Sequence, residues 1–114
     1  MEWLQLKDEA QLSEIIEKSK HEPVVIFKHS TNCSISAMVK NRLETSWNNN
    51  EAGFPYYLDL IAYRPVSQKV EQLFSVRHES PQVLVINNGV CVYHASHIAI
   101  NYKDIKGQLA LVKS

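Results

Sequence analysis

The run Val24-Val25-Ile26-Phe27 has no polar face. A strand with one side in water alternates apolar and polar side chains, so an unbroken apolar run reads as a central strand covered on both sides. Tyr56 to Ile61 reads as a second central strand, and Val83-Leu84-Val85-Ile86 as a third. A sheet buried on both faces needs helices to cover it, and the intervening segments have helical periodicity. Asp8 can cap a helix running to about Lys20, with Leu12, Ile15 and Ile16 apolar, and Pro23 ends that segment. Ser34 to Trp47 carries Ile35, Met38, Val39, Leu43 and Trp47 near helical spacing, and Asn48-Asn49-Asn50 with Gly53 closes it as a loop. Pro65 suits a first helical turn, with Val66, Val70, Leu73 and Phe74 on one face of a helix ending near Val76.

Asn88-Gly89 between two apolar runs signals a tight hairpin, with Val90 to Tyr93 as the return strand. Ala95-Ser96-His97 is then a connection, and Asn101 to Val112 a last helix with Ile105, Leu109 and Val112 inward. Trp3 to Leu6 alternates weakly and is read as a short first strand. The order is β-α-β-α-β-α-β-β-α. Strands alternating with helices imply a parallel set, and the hairpin adds antiparallel strands. This order resembles the thioredoxin arrangement, and the resemblance implies a thioredoxin-like α/β fold: a central mixed β-sheet, helices on both faces, and a C-terminal β-hairpin after a cis-proline, expected at Pro81. At 114 residues the chain is read as one domain, residues 1–114, large enough to bury a core.

Composition narrows the function classes. The net charge is zero, which argues against nucleic acid or an anionic membrane as a main partner. No apolar run approaches the ~18 residues of a membrane span. The N-terminus, Met1-Glu2-Trp3-Leu4, lacks the features of a secretory signal, so a cytoplasmic location is expected. Two cysteines in such a chain make a structural disulfide an unfavoured reading.

Cys33 is the residue with chemistry to explain. It follows the first core strand by the polar segment Lys28-His29-Ser30-Thr31-Asn32 and opens the Ser34–Trp47 helix. At a helix N-terminus, the first-turn N–H groups of Ser34, Ile35 and Ser36 and the helix dipole stabilise a thiolate. The partner of a dithiol motif would stand at position 36, where the chain has serine, whose hydroxyl can also donate to the sulfur. The bland alternative is a buried, inert cysteine. Pro81 is expected to face Cys33, with the Ser80 backbone able to pair with an extended ligand. The alternative there is an ordinary trans proline on an edge strand. Cys91 lies just past the hairpin turn, on the order of 15 Å from Cys33, whereas a disulfide needs Cα atoms within about 7 Å. Cys91 is therefore read as a hydrophobe. Phe27 occupies the position, six residues before Cys33, where dithiol thioredoxins often hold a buried carboxylate for the resolving thiol.

For each of His29, His78, His94 and His97 singly, a structural reading weighs about evenly with a functional one. Ser96 and His97 are the best candidates for ligand contact, because their connection borders the groove. His94 and His97 with Cys33 match no zinc spacing, so no metal is assigned. Lys28 is read as a solvated lysine.

Three segments carry a family resemblance. Lys28 to Ser36 resembles the active-site segment of the monothiol bacilliredoxins, the YtxJ type of the bacillithiol system. His78 to Val83 followed by Asn88-Gly89 resembles their cis-proline hairpin, and Tyr93 to His97 the segment after it. One position departs: the family usually has proline after the cysteine, and here it is Ser34, which keeps a backbone N–H. The resemblance implies reduction of mixed disulfides between proteins and bacillithiol. Cys33 is then the nucleophile, no cofactor is bound, bacillithiol is the co-substrate, and the partners are a low-molecular-weight thiol and S-thiolated proteins. Two other readings stand beside it: the same chemistry with glutathione or coenzyme A, and a thioredoxin-fold binding module without turnover.

Overall fold

A computed structural model describes residues 1–47 and 53–113; Asn48 to Asn50, expected as loop, lie outside the described residues. Its elements are β1 (Leu4–Gln5), α1 (Ala10–Lys18), β2 (Val24–His29), α2 (Ser34–Ser46), β3 (Phe54–Asp59), α3 (Arg64–Phe74), β4 (Gln82–Asn87), β5 (Val90–Ser96), a 3-10 turn at His97–Ala99, and α4 (Tyr102–Lys113). The five strands form one sheet in the order β1-β3-β2-β4-β5. β1, β3 and β2 run parallel, and β4 is antiparallel to both β2 and β5.

Alternation along β2 divides the core in two. Val24 and Ile26 face α1 and α3, where they meet Leu12, Ile15, Val66, Val70 and Phe74. Val25 and Phe27 face α2 and α4, against Val39, Leu43, Trp47, Ile105 and Leu109. This is why the strand lacks a polar side: each face has its own helical layer. Leu73, Ile35 and Met38 depart from the expectation and are exposed.

Local signals set most boundaries. Asp8 Oδ1 accepts the Gln11 N–H at 3.0 Å while Gln11 Oε1 accepts the Asp8 N–H at 3.2 Å, a reciprocal cap of the kind that starts helices. Asn101 Oδ1 caps α4 through the Asp104 N–H at 2.9 Å. Asn88 and Gly89 have φ of 52° and 78°, as a two-residue hairpin turn requires. The strands that lengthen most against the sequence reading are β2 and β5. β2 continues through Lys28 and His29, because β3 offers Leu58 and Asp59 as partners for both. β5 continues through Ser96, which pairs with Gln82, so the connection is the turn His97–Ala99.

Candidate active site

Strand pairing gathers the site at one end of the sheet. Lys28 pairs with Gln82, which directly follows Pro81, and Gln82 pairs in turn with Ser96. The segment Ser30–Asn32 then carries the chain from the end of β2 to Cys33, at the N-cap of α2. The 3-10 turn after Ser96 packs against α2. The Cys33 turn, Ser80-Pro81 and Ser96-His97 therefore border one surface.

Cys33 is partly exposed and in no disulfide. Its N–H donates to Ser30 O at 3.2 Å, and its carbonyl accepts the first α2 bond, from Ala37 N–H at 3.1 Å. The N–H groups of Ser34, Ile35 and Ser36 thus fall in the first turn, where no helical acceptor exists. The Cys33 side chain makes no capping hydrogen bond.

Ser36 is completely buried, and its hydroxyl is committed away from the sulfur. Its Oγ accepts the Ser30 N–H at 3.0 Å and lies 2.7 Å from His29 Nδ1. The expected donation to Cys33 is corrected accordingly. Burial first, then the Lys40 charge, lowers the His29 pKa, against the pull of Asp59 and Glu44. With the oxygen already accepting from Ser30, the Ser36 hydroxyl hydrogen can donate to Nδ1. His29 stacks on Phe27 at 5.9 Å, and Phe27 stacks on Trp3 at 5.6 Å. The floor under the Cys33 turn is thus a serine, an imidazole and an apolar aromatic pair.

Lys28 overturns its solvated reading: it is 0% exposed. It falls on the same side of β2 as Val24 and Ile26, toward α3. Its Nζ donates to Ser67 O at 3.4 Å and reaches His78 Nδ1 at 3.2 Å. Burial pushes its pKa down to about 8, against the opposing pull of Glu71. Sequence reasoning missed this because a polar pair after an apolar run looks like a loop. The sequence holds no signal for it: the extension is set by pairing with Leu58 and Asp59 of β3.

The Ser80–Pro81 peptide bond is cis. Pro81 is buried, and its carbonyl accepts the His97 N–H at 2.9 Å. Among the described residues the Ser80 hydroxyl is buried without a partner, and no backbone partner is found for Ser80. His97, at φ 58°, places Nδ1 3.6 Å from Glu79 Oε2, so the two sides of the groove meet there. His94 is exposed on β5. Cys91 sits opposite Ile86 near the hairpin turn, the far end of β4 from Gln82, and packs against the α1/α3 core. Its Sγ donates to Tyr93 O at 3.2 Å, and burial raises its pKa.

A structure described as having a thioredoxin fold shares 28% sequence identity over 97% of this chain and 93% of its own, with a TM-score of 0.73. Thioredoxin from Trypanosoma brucei brucei superposes with a TM-score of 0.77 at 12% identity, covering 99% of this chain and 93% of that one. Fasciola hepatica thioredoxin gives 0.73 at 17%, covering 95% and 97%. These likenesses show a thioredoxin fold. Residues 4–105, spanning every element from β1 into α4, match the family model described as monothiol bacilliredoxin BrxC. With the thioredoxin fold and a cysteine at the head of α2, the chain belongs to the monothiol bacilliredoxin family, a group of thiol-disulfide redox proteins.

Proposed function

We propose that this protein reduces mixed disulfides between proteins and bacillithiol through Cys33 alone. One observation carries the reading: position 36 holds a hydroxyl bound to His29 and Ser30, so the site has one sulfur. Cys91 stands at the opposite end of the sheet and against the other core, too far for a bridge. The second sulfur must come from outside the chain.

The chemistry follows as two exchanges. The Cys33 thiolate attacks the bacillithiol sulfur of an S-bacillithiolated protein. A Cys33–bacillithiol disulfide forms, the original disulfide breaks, and the protein thiolate leaves and takes a proton from solvent. A free bacillithiol thiolate then attacks the bound bacillithiol sulfur, giving bacillithiol disulfide and the Cys33 thiolate. The first-turn N–H groups of Ser34, Ile35 and Ser36 favour the anion at both stages. Ser80, Pro81, Ser96 and His97 form the groove in which the disulfide lies. The unpaired Ser80 backbone suits an extended segment added as a short strand. No bound cofactor enters these steps, and a reducing cytoplasm is the setting in which they turn over.

The test is incubation with a peptide carrying a bacillithiol disulfide. The expected products are the free peptide thiol and Cys33 with the added mass of bacillithiol. Cys33→Ser should lose on the order of 100-fold or more in rate. Equal rates with a glutathione disulfide would remove bacillithiol as the preferred thiol. No release of peptide, with binding kept, would make this a binding module.

A further inference from the structure

Burying a lysine costs more than burying an apolar residue of the same volume, so packing alone does not account for Lys28. Its contacts point elsewhere. Lys28 lies near the end of β2, five residues before Cys33, and its ammonium reaches His78 Nδ1 at 3.2 Å, three residues before Pro81. Ser67 Oγ lies 3.3 Å from the same Nδ1, and Glu71 Oε2 accepts the His78 N–H at 2.6 Å. Gln82 Nε2 donates to Arg77 O at 2.9 Å. The segment 77–82 is thus tied at Arg77, His78 and Gln82. Ser80 stands between the ties, its backbone and hydroxyl without partners among the described residues.

Apolar packing holds the segment on either side, at Val76 and Pro81, but not along the stretch between them. A cavity of about 230 Å³ opens at this place, lined by Leu60, Arg64, Ser67, Gln68, Glu71 and His78. A loop beside a cavity holds its position through its polar ties.

We propose that Lys28 is a positioning residue: together with His78, Ser67 and Glu71 it sets the Ser80 edge against which an extended peptide around the scissile disulfide docks. The inference rests on the thiol-exchange reading of Cys33. Lys28 touches neither the sulfur nor the peptide. It fixes the distance between two walls of the groove, because it belongs to the strand that leads to one and binds the loop that forms the other.

The test compares two disulfides that offer the same attacked sulfur, that of cysteamine. Cystamine has no peptide backbone, whereas an extended octapeptide with a central cysteine–cysteamine disulfide can pair with Ser80. In Lys28→Met and His78→Leu, the KM for the octapeptide should rise about tenfold. The limiting rate and the cystamine rate should stay within about twofold of wild type. His78→Asn, whose amide oxygen replaces Nδ1 as an acceptor, should restore the peptide KM. Equal losses on both disulfides, no loss on either, or failure of His78→Asn to rescue would each overturn the inference. If Lys28→Met does not fold, the exposed His78 pair decides alone. If wild type exchanges with neither disulfide, the thiol-exchange reading fails. Hydrogen exchange then decides the positioning: faster exchange at amides 77–80 in His78→Leu supports it, and unchanged exchange overturns it.

Discussion

Position 28 carries an ammonium in a place where its charge is costly, and the cost has a pH signature. The folded-state pKa, about 8, lies below the ordinary value of 10.5. Below pH 8 both folded and unfolded chains hold the proton, and the burial cost is constant. Between 8 and 10.5 the unfolded chain binds more protons, so this group's contribution to stability rises with pH through that window. Wild type should therefore gain on Lys28→Met by on the order of 1 to 3 kcal/mol between pH 7 and pH 10. Urea unfolding at the two pH values measures it, and a constant difference between the two proteins would contradict the assignment. Tyr57, Tyr93 and Cys91, whose pKa values are raised, oppose this trend but are common to both chains. At this scale the sequence was legible where side-chain type and local position suffice, as at Cys33 and Phe27. It was not legible at Lys28 and Ser36. Their partners, His78 and His29, are 50 and 7 residues away and become neighbours only through the sheet and the α2 turn.

The hairpin illustrates what an element reveals in advance. Asn88-Gly89 specifies a turn with two positive φ angles, and both residues have them. A methyl group at Gly89 would meet Ile16 Cγ2 at 3.5 Å, an ordinary contact, so space does not demand glycine there. The backbone does, at φ 78°. Gly89→Ala is expected to cost about 1 kcal/mol through backbone conformation. Chemical denaturation reads this cost, and an unchanged midpoint would show that the turn relaxes freely. Strand ends were less legible than strand centres. Where β2 and β5 stop depends on how far their neighbours extend, and β3 and β4 carry them to His29 and Ser96. Residue type gives no hint of this, since His and Ser are common in loops. The consequence reaches function, because the lengthened strands bring Lys28, His29 and Ser96 up to the groove.

Across the whole molecule the two cysteines belong to separate environments. Cys33 heads α2 at one end of the sheet, while Cys91 lies near the opposite turn among residues packed with α1 and α3. Diamide treatment followed by mass spectrometry should find no Cys33–Cys91 bridge, and Cys91→Ala should leave disulfide exchange within about twofold of wild type. An intramolecular bridge would show that the sheet rearranges on oxidation. The two-faced sheet and the element order were readable from the apolar pattern, because that pattern is a property of the entire chain. The paired groups that line the site were not, because they are set by register. The hydroxyl at position 36 has one more consequence, which is kinetic. A second cysteine there would release its partner at a rate independent of concentration. On the proposed chemistry, regeneration instead requires a collision with a free small thiol. Turnover is then first order in that thiol, and the protein slows as the reduced pool is depleted. Oxidised copies would accumulate in proportion, so the fraction of Cys33 carrying an adduct becomes a gauge of the pool that reduces it.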